Sequence, residues 1–272
     1  MKIARKWDTV LKNIAGDLTP ETPADIKQMD ALKRTFLRNA YRTFLPPELD
    51  IAIAALHAAG GGRPLNAIQA GANDGIDPVC KLFRKYFSKI VLVEPQEQLI
   101  RKLRENYADY AGELIIENMA IGDDGGSLVL HIPDAELEEL YIRKVGRSSS
   151  FVVGTDRALT LRIMQVRCGI TAEQAEAQVV ATAIPAMSIS ALAQRHGMER
   201  VDFLQVDCEG YDWRVIQSMQ DLRPSIINFE SKLLSKADWA AWVAFARSND
   251  YGFVVCNSDT IAIRHAKLEY AS

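Results

Sequence analysis

A chain of 272 residues is long enough for one large domain, or for a domain with an appendage. Its 48% hydrophobic and 25% charged content is ordinary for a soluble globular protein, and a net charge of -3 gives no reason to expect nucleic acid or anionic lipid as the main partner. The four cysteines, Cys80, Cys168, Cys208 and Cys256, form no CxxC pair, which gives a cysteine-built zinc site little support and points to reduced, partly buried thiols.

The opening stretch, "MKIARKWDTVLKNIAGDLTP", is charged throughout and lacks the apolar centre of a signal peptide. No apolar run is long enough to span a bilayer, so a cytoplasmic protein is the expectation. Residues 1–63 are expected to form a helical extension. Ile26, Met29, Leu32 and Phe36 recur at helical spacing, and "ELDIAIAALHAAGGG" predicts a second helix ended by Gly60 to Gly62. From residue 64 onward strand and helix alternate. "NAIQA", "KIVLVEP", "ELIIENMAI", "SLVLHIP", "VDFLQVD" and "PSIINFE" predict strands. "DPVCKLFRKYF", "QEQLIRKLRENYADY", "MSISALAQRHGM", "YDWRVIQSMQDL" and "KADWAAWVAFARSND" predict helices. "YGFVVCN" and "DTIAIRH" predict a closing hairpin at an antiparallel edge. This alternation is that of a mostly parallel sheet with helices on both faces. Residues 134 to about 183 exceed an ordinary connection and are expected to be an insertion: a lid, a substrate wall or an interaction surface.

The stretch "NAIQAGANDG" runs a buried strand into a glycine turn beyond the strand's carboxyl end, where open parallel sheets bind ligands. Glycine permits close backbone approach, and the next helix is expected to aim free N–H groups at the same place. Glu94, ending "VLVE", can accept hydrogen bonds from both hydroxyls of a ribose. Turn and acid together predict a nucleoside pocket. The string G-A-N-D-G lacks the G-x-G-x-x-G pattern, with Asn73 where a dinucleotide's pyrophosphate would need glycine, so NAD is disfavoured. A ligand with an amino acid tail fits better: its ammonium can meet strand-end carbonyls or Asp74, and its carboxylate backbone N–H groups. S-adenosylmethionine has such a tail.

Taken together, "AIQAGANDG", "VLVEP", "ENMAIGDDGG", "GRSSSF" and "VDFLQVDCEGYDWRVIQSM" resemble, in order, the FkbM-type methyltransferases over about residues 64–232. The resemblance implies a class I methyltransferase (Rossmann-like) fold: a seven-stranded sheet, helices on both faces, the last strand antiparallel. It implies S-adenosylmethionine as cofactor and O-methylation of a hydroxyl on a sugar or natural-product acceptor. Mapped onto this chain, Gly71, Asn73, Asp74 and Gly75 would surround the methionine moiety. Glu94 would hold the ribose. Ala120 and Ile121, with Asn118 or Asp123 nearby, would border the adenine. Gln69 departs from the pattern, since many members carry an acid there; the ammonium would then rely on strand carbonyls, Asp74 or Asp207.

For the transfer itself, Asp207 and Glu209 are the expected bases or orienting acceptors for a hydroxyl, with Glu209 equally able to cap the helix that follows. Glu230 is a third strand-end acid that could face the acceptor or pair with Lys232; a divalent metal between it and Asp207 has weak support. Ser148, Ser149 and Ser150, beside Arg143, Lys144 and Arg147, could bind a polyhydroxylated acceptor or form a plain polar loop. His196 suits a helix end, His131 could reach the pocket, and Trp239 and Trp242 fit core packing. A macromolecular acceptor, protein or RNA, and a non-catalytic nucleoside-binding role remain as alternatives, RNA being disfavoured by the absence of a basic-aromatic stripe.

Overall fold

The computed structural model describes residues 47–145 and 154–265. The predicted helix around residues 26–41 and the serine triplet with Arg147 lie outside them. The second predicted helix forms as Pro47–Ala59 and lays Leu49 and Ile53, both fully buried, into the core.

Seven strands build the main sheet: β1 (Leu65–Ala70), β2 (Phe87–Val93), β3 (Glu113–Glu117), β7 (Phe203–Val206), β8 (Ile226–Glu230), β9 (Tyr251–Cys256) and β10 (Asp259–Arg264). Three more, β4 (Ala120–Ile121), β5 (Ser127–Pro133) and β6 (Val179–Met187), form a small second sheet. The main order is β3-β2-β1-β7-β8-β10-β9, parallel from β3 to β8. The closing hairpin forms, pairing Cys256 with Asp259 and Tyr251 with Arg264. Its antiparallel member is not at the edge, however. β10 inserts between β8 and β9, so the edge strand β9 runs with the parallel set. The tight turn at Asn257, in the left-handed region at φ 60, places β10 back against the open side of β8.

Alternation along the parallel strands feeds two cores. Ile68, Leu204, Val206, Ile227 and Phe229 face one side, under Trp213, Trp239 and Trp242. Ala67, Ile90, Leu92, Phe203 and Ile226 face the other, under Leu82, Phe83 and Tyr107. Trp242 is fully buried with its ring 4.7 Å from that of Phe229, as core packing predicts. The rim opposite the strand carboxyl ends is tied by Asp202, fully buried, which takes the N–H of Asn66 at 2.9 Å and the guanidiniums of Arg63 and Arg200 at 2.9 Å each.

The insertion is a small helical layer rather than a loop. Helices Ala135–Val145, Arg157–Cys168 and Ala172–Gln178 enclose their own core of Leu137, Tyr141, Leu161, Met164 and Val179. Asp156 caps the second by accepting from Leu159 N at 3.1 Å, and Thr171 and Gln174 form a capping box on the third. The chain then runs straight into β6, a strand hidden within and beyond the expected insertion. Its β-branched residues, Val179, Val180, Thr182 and Ile184, favour a strand, but alanines and Pro185 interrupt the run. Pairing with β5, from Ser127–Pro185 to Pro133–Val179, fixes its extent.

Candidate active site

The carboxyl ends of β1, β2 and β7 meet in one knot of backbone bonds. Gly71 N and Ala72 N both donate to Val93 O at 3.0 Å, and Asp207 N donates to Ala70 O at 3.0 Å. Gly71 sits at φ 79, and a Cβ there would stand 1.9 Å from the Asp207 carbonyl oxygen. Only glycine allows this approach. Asn73 follows at φ 52, a conformation asparagine tolerates better than most residues, and aims its N–H at Glu94 Oε2, 2.8 Å away. Gln96 N donates to Glu94 Oε1 at 2.9 Å. Glu94 is therefore clamped at the strand end, 3% exposed, and burial lifts its carboxyl to about 7 against the pull of those two N–H groups.

Beyond this knot lies a cleft enclosing about 860 Å³, part of it continuous with solvent. Gly71, Asn73, Glu94, Ala120, Ile121, Asp207 and Glu209 all line it. Asp74 and Gly75 do not line it. Asp74 holds the turn, its Oδ1 accepting from Ile76 N at 3.1 Å and its carbonyl from Asn106 at 2.7 Å. Gly75 serves packing, since a Cβ there would meet Tyr107 at 2.6 Å and Leu103 at 2.7 Å. Asn118 bonds the carbonyls of Glu94 and Pro95 from outside the lining.

The expectation that the next helix offers its free N–H groups to a ligand is overturned. Helix Val79–Tyr86 has its first two donors, Val79 N at 2.7 Å and Cys80 N at 3.2 Å, taken by Asp77 Oδ1. Asp77 Oδ2 in turn accepts from Gln69 Nε2 at 2.7 Å. This explains the departure at Gln69: an acid there would face the Asp77 carboxylate, whereas an amide donates to it.

Glu209 holds the left-handed conformation at φ 50 and lines the cleft. The N–H of Gly210 goes to Asp212 Oδ2 at 3.2 Å, and helix Asp212–Gln217 starts without a side-chain cap. Burial, then the charge of Glu230, raises Glu209 to about 7 and Asp212 to about 7. The same two causes hold Asp207 well above the usual carboxylate range. Glu230 pairs with Lys232 through Oε1 and does not line the cleft.

Several lining residues had no sequence signal of their own. Leu128 and Leu130 face inward from β5, and Gly154 and Thr155 come from the insertion, carried there by the bridge of His131 N to Gly154 O at 2.9 Å. Alternation in "SLVLHIP" marks the leucines as one face of a strand, but not which face closes on the pocket. His131 itself stays out of the lining. His196 bonds Glu117 at 2.7 Å outside the cleft lining, and Arg143 and Lys144 are exposed at a helix end. Among the described residues, no group of three or more His, Cys, Asp or Glu is placed to hold a metal ion, and no helix is long and apolar enough to cross a membrane.

A seven-stranded sheet with its last strand reversed between two parallel ones, a glycine turn after β1 and an acid ending β2 define a class I, Rossmann-like methyltransferase fold. The chain belongs to the family of the methyltransferase FkbM domain, whose model matches residues 69–255, and is an S-adenosylmethionine-dependent methyltransferase. Among solved structures it is similar to a methyltransferase from Geobacter sulfurreducens, with 12% identity, 96% of each chain covered and a TM-score of 0.39. It is also similar to the ribosomal protein L11 methylase from Lactobacillus delbrueckii subsp. bulgaricus, with 8% identity, 82% of this chain and 81% of that chain covered, and a TM-score of 0.38. A third is M. capricolum TrmK in complex with S-adenosyl-homocysteine, with 8% identity, 81% of this chain and 67% of that chain covered, and a TM-score of 0.38. No curated protein matches significantly.

Proposed function

We propose that this methyltransferase acts on a hydroxyl of a small, uncharged acceptor, such as a sugar or natural-product scaffold, with Asp207 and Glu209 at the transfer end. The observation that carries this reading is the charge of the cleft. Its ionisable carboxylic acids are Glu94, Asp207 and Glu209, and no lysine, arginine or histidine is among its described lining residues. A wall without a cation offers phosphate no partner, which speaks against an RNA acceptor.

Bound in the cleft, S-adenosylmethionine supplies a methyl group already made electrophilic by its sulfonium. Glu94 would accept from the ribose hydroxyls with the lone pairs left over by Asn73 N and Gln96 N. Ala120, Ile121, Leu128 and Leu130 offer the adenine an apolar slot. Gly71 keeps a backbone edge, not a side chain, against the methionine moiety. The acceptor hydroxyl needs its proton removed as the new oxygen–carbon bond forms. Glu209, lifted to about 7, is matched to that task at neutral pH. Asp207, next to it, would orient the hydroxyl in line with the methyl group.

The test is titration calorimetry with S-adenosylmethionine and NAD, followed by transfer of labelled methyl to small-molecule and polymer fractions. Binding of S-adenosylmethionine alone, with label in small molecules, is expected. Asp207→Asn and Glu209→Gln should each lower turnover at least tenfold while the protein stays folded. Native rates in both variants would remove their assignment. Label in a polymer would move the acceptor to a macromolecule, and binding without any transfer would favour the non-catalytic role.

A further inference from the structure

The transfer end holds more carboxyl groups than its lining accounts for. Asp207 and Glu209 face the cleft. Behind them stand Glu230, Asp212 from the start of helix Asp212–Gln217, and Asp259 from the start of β10. The cations facing this group are Lys232, bound to Glu230 Oε1, and Arg167 of the insertion, which acts on Glu209 while bonding the Tyr141 hydroxyl at 2.7 Å. Glu230 is at the centre. Its charge raises Asp207, Glu209, Asp212 and Asp259 alike, burial being the larger cause in each. It is 9% exposed, and its Oε2 is buried without a hydrogen-bond partner. A buried carboxylate oxygen left so is costly unless positive charge stands near it.

We infer that Glu230, which does not touch the cleft, makes the transfer end select a positively charged sulfonium over the neutral thioether product. The inference rests on the reading of the cleft as an S-adenosylmethionine site. Methyl transfer breaks the carbon–sulfur bond and leaves its electron pair on sulfur, so the positive charge that Glu230, Asp207 and Glu209 attract disappears with the reaction. A partly buried unit charge at short range changes the affinity of a cation by roughly tenfold. The sulfonium therefore binds the more tightly of the two, and its binding drives the proton off Glu209, which burial and then the charge of Glu230 lift to about 7. Product leaves a site whose Glu209 then takes its proton back.

Titration calorimetry of the full chain with S-adenosylmethionine and with S-adenosyl-homocysteine, from pH 6 to pH 8.5 in paired buffers of different ionisation enthalpy, tests this. S-adenosylmethionine is expected to bind about tenfold tighter at pH 8 and to release protons on binding, with the ratio shrinking toward pH 6. In Glu230→Gln the ratio at pH 8 should fall severalfold, with the proton release moved to lower pH, and Glu230→Asp should restore part of both. Equal, pH-independent affinities in the wild type overturn the inference even if Glu230→Gln does not fold, as does a ratio unchanged in a folded Glu230→Gln. If neither compound binds, the cofactor reading fails first and takes this inference with it.

Discussion

Replacing Gly71 with alanine isolates the contact on which the pocket is built. The new Cβ would lie 1.9 Å from the Asp207 carbonyl oxygen and 2.9 Å from its carbon, where ordinary contact begins at 3.4 Å. The ends of β1 and β7 would have to part by about 1.5 Å at a point that the bond of Asp207 N to Ala70 O holds closed. Alanine at φ 79 adds strain of about 1–2 kcal/mol, and overpacking adds about 1–3 kcal/mol. The sum, about 2–5 kcal/mol, lowers the melting temperature of a domain this size by about 10 °C. Gly125 provides the control, because it has the same hand of backbone at φ 70 but nothing within 4 Å of its Cβ position. Gly125→Ala should cost only the strain, about 1 kcal/mol and a few degrees. Scanning fluorimetry reads both, and calorimetry with S-adenosylmethionine should find Gly71→Ala weakened at least tenfold and Gly125→Ala unchanged. Equal melting shifts in the two variants, or native binding by Gly71→Ala, would refute the reasoning.

Glu94→Gln turns an amide N–H₂ toward one of the two backbone donors that the carboxylate now satisfies; we expect a loss of about 1–3 kcal/mol in urea unfolding and at least tenfold weaker cofactor binding. Stability of the free protein should fall as pH rises from 5.5 to 8. Glu94, Glu209 and Asp212 sit at about 7 when folded but ionise near 4 when unfolded, so the folded state holds the extra protons; their stabilisation is complete below about 4 and lost as pH passes 7. Melting curves across that window at constant ionic strength check the sign, and Glu209→Gln should flatten them; a rise with pH would contradict it. Asp202→Ala removes the shared partner of Arg63, Arg200 and Asn66 N at the rim away from the cleft. It should cost about 3 kcal/mol in chemical unfolding while leaving cofactor affinity native, and a change in affinity would show the two rims to be coupled.

The alternation of "NAIQA", "KIVLVEP", "VDFLQVD" and "PSIINFE" with amphipathic helices determined the parallel sheet. Hydrophobic runs flanked by turn residues are local properties, legible wherever they occur. The glycine turn and Glu94 were legible for the same reason: a backbone conformation that glycine favours and an acid at a strand end lie 23 residues apart in a repeating unit of known hand. Tertiary structure alone decided the rest. Whether a helix N-terminus is free depended on Asp77 finding its two N–H groups, and whether Asp74 lined the cleft depended on which way a five-residue turn folded back. The strand in "VVATAIPAM" has β-branched residues interrupted by alanines and Pro185, and its extent is fixed by pairing with β5. Glu230 acquired its influence only when β7, β8 and β10 placed four other acids around it, and charge acts through space without regard to position along the chain.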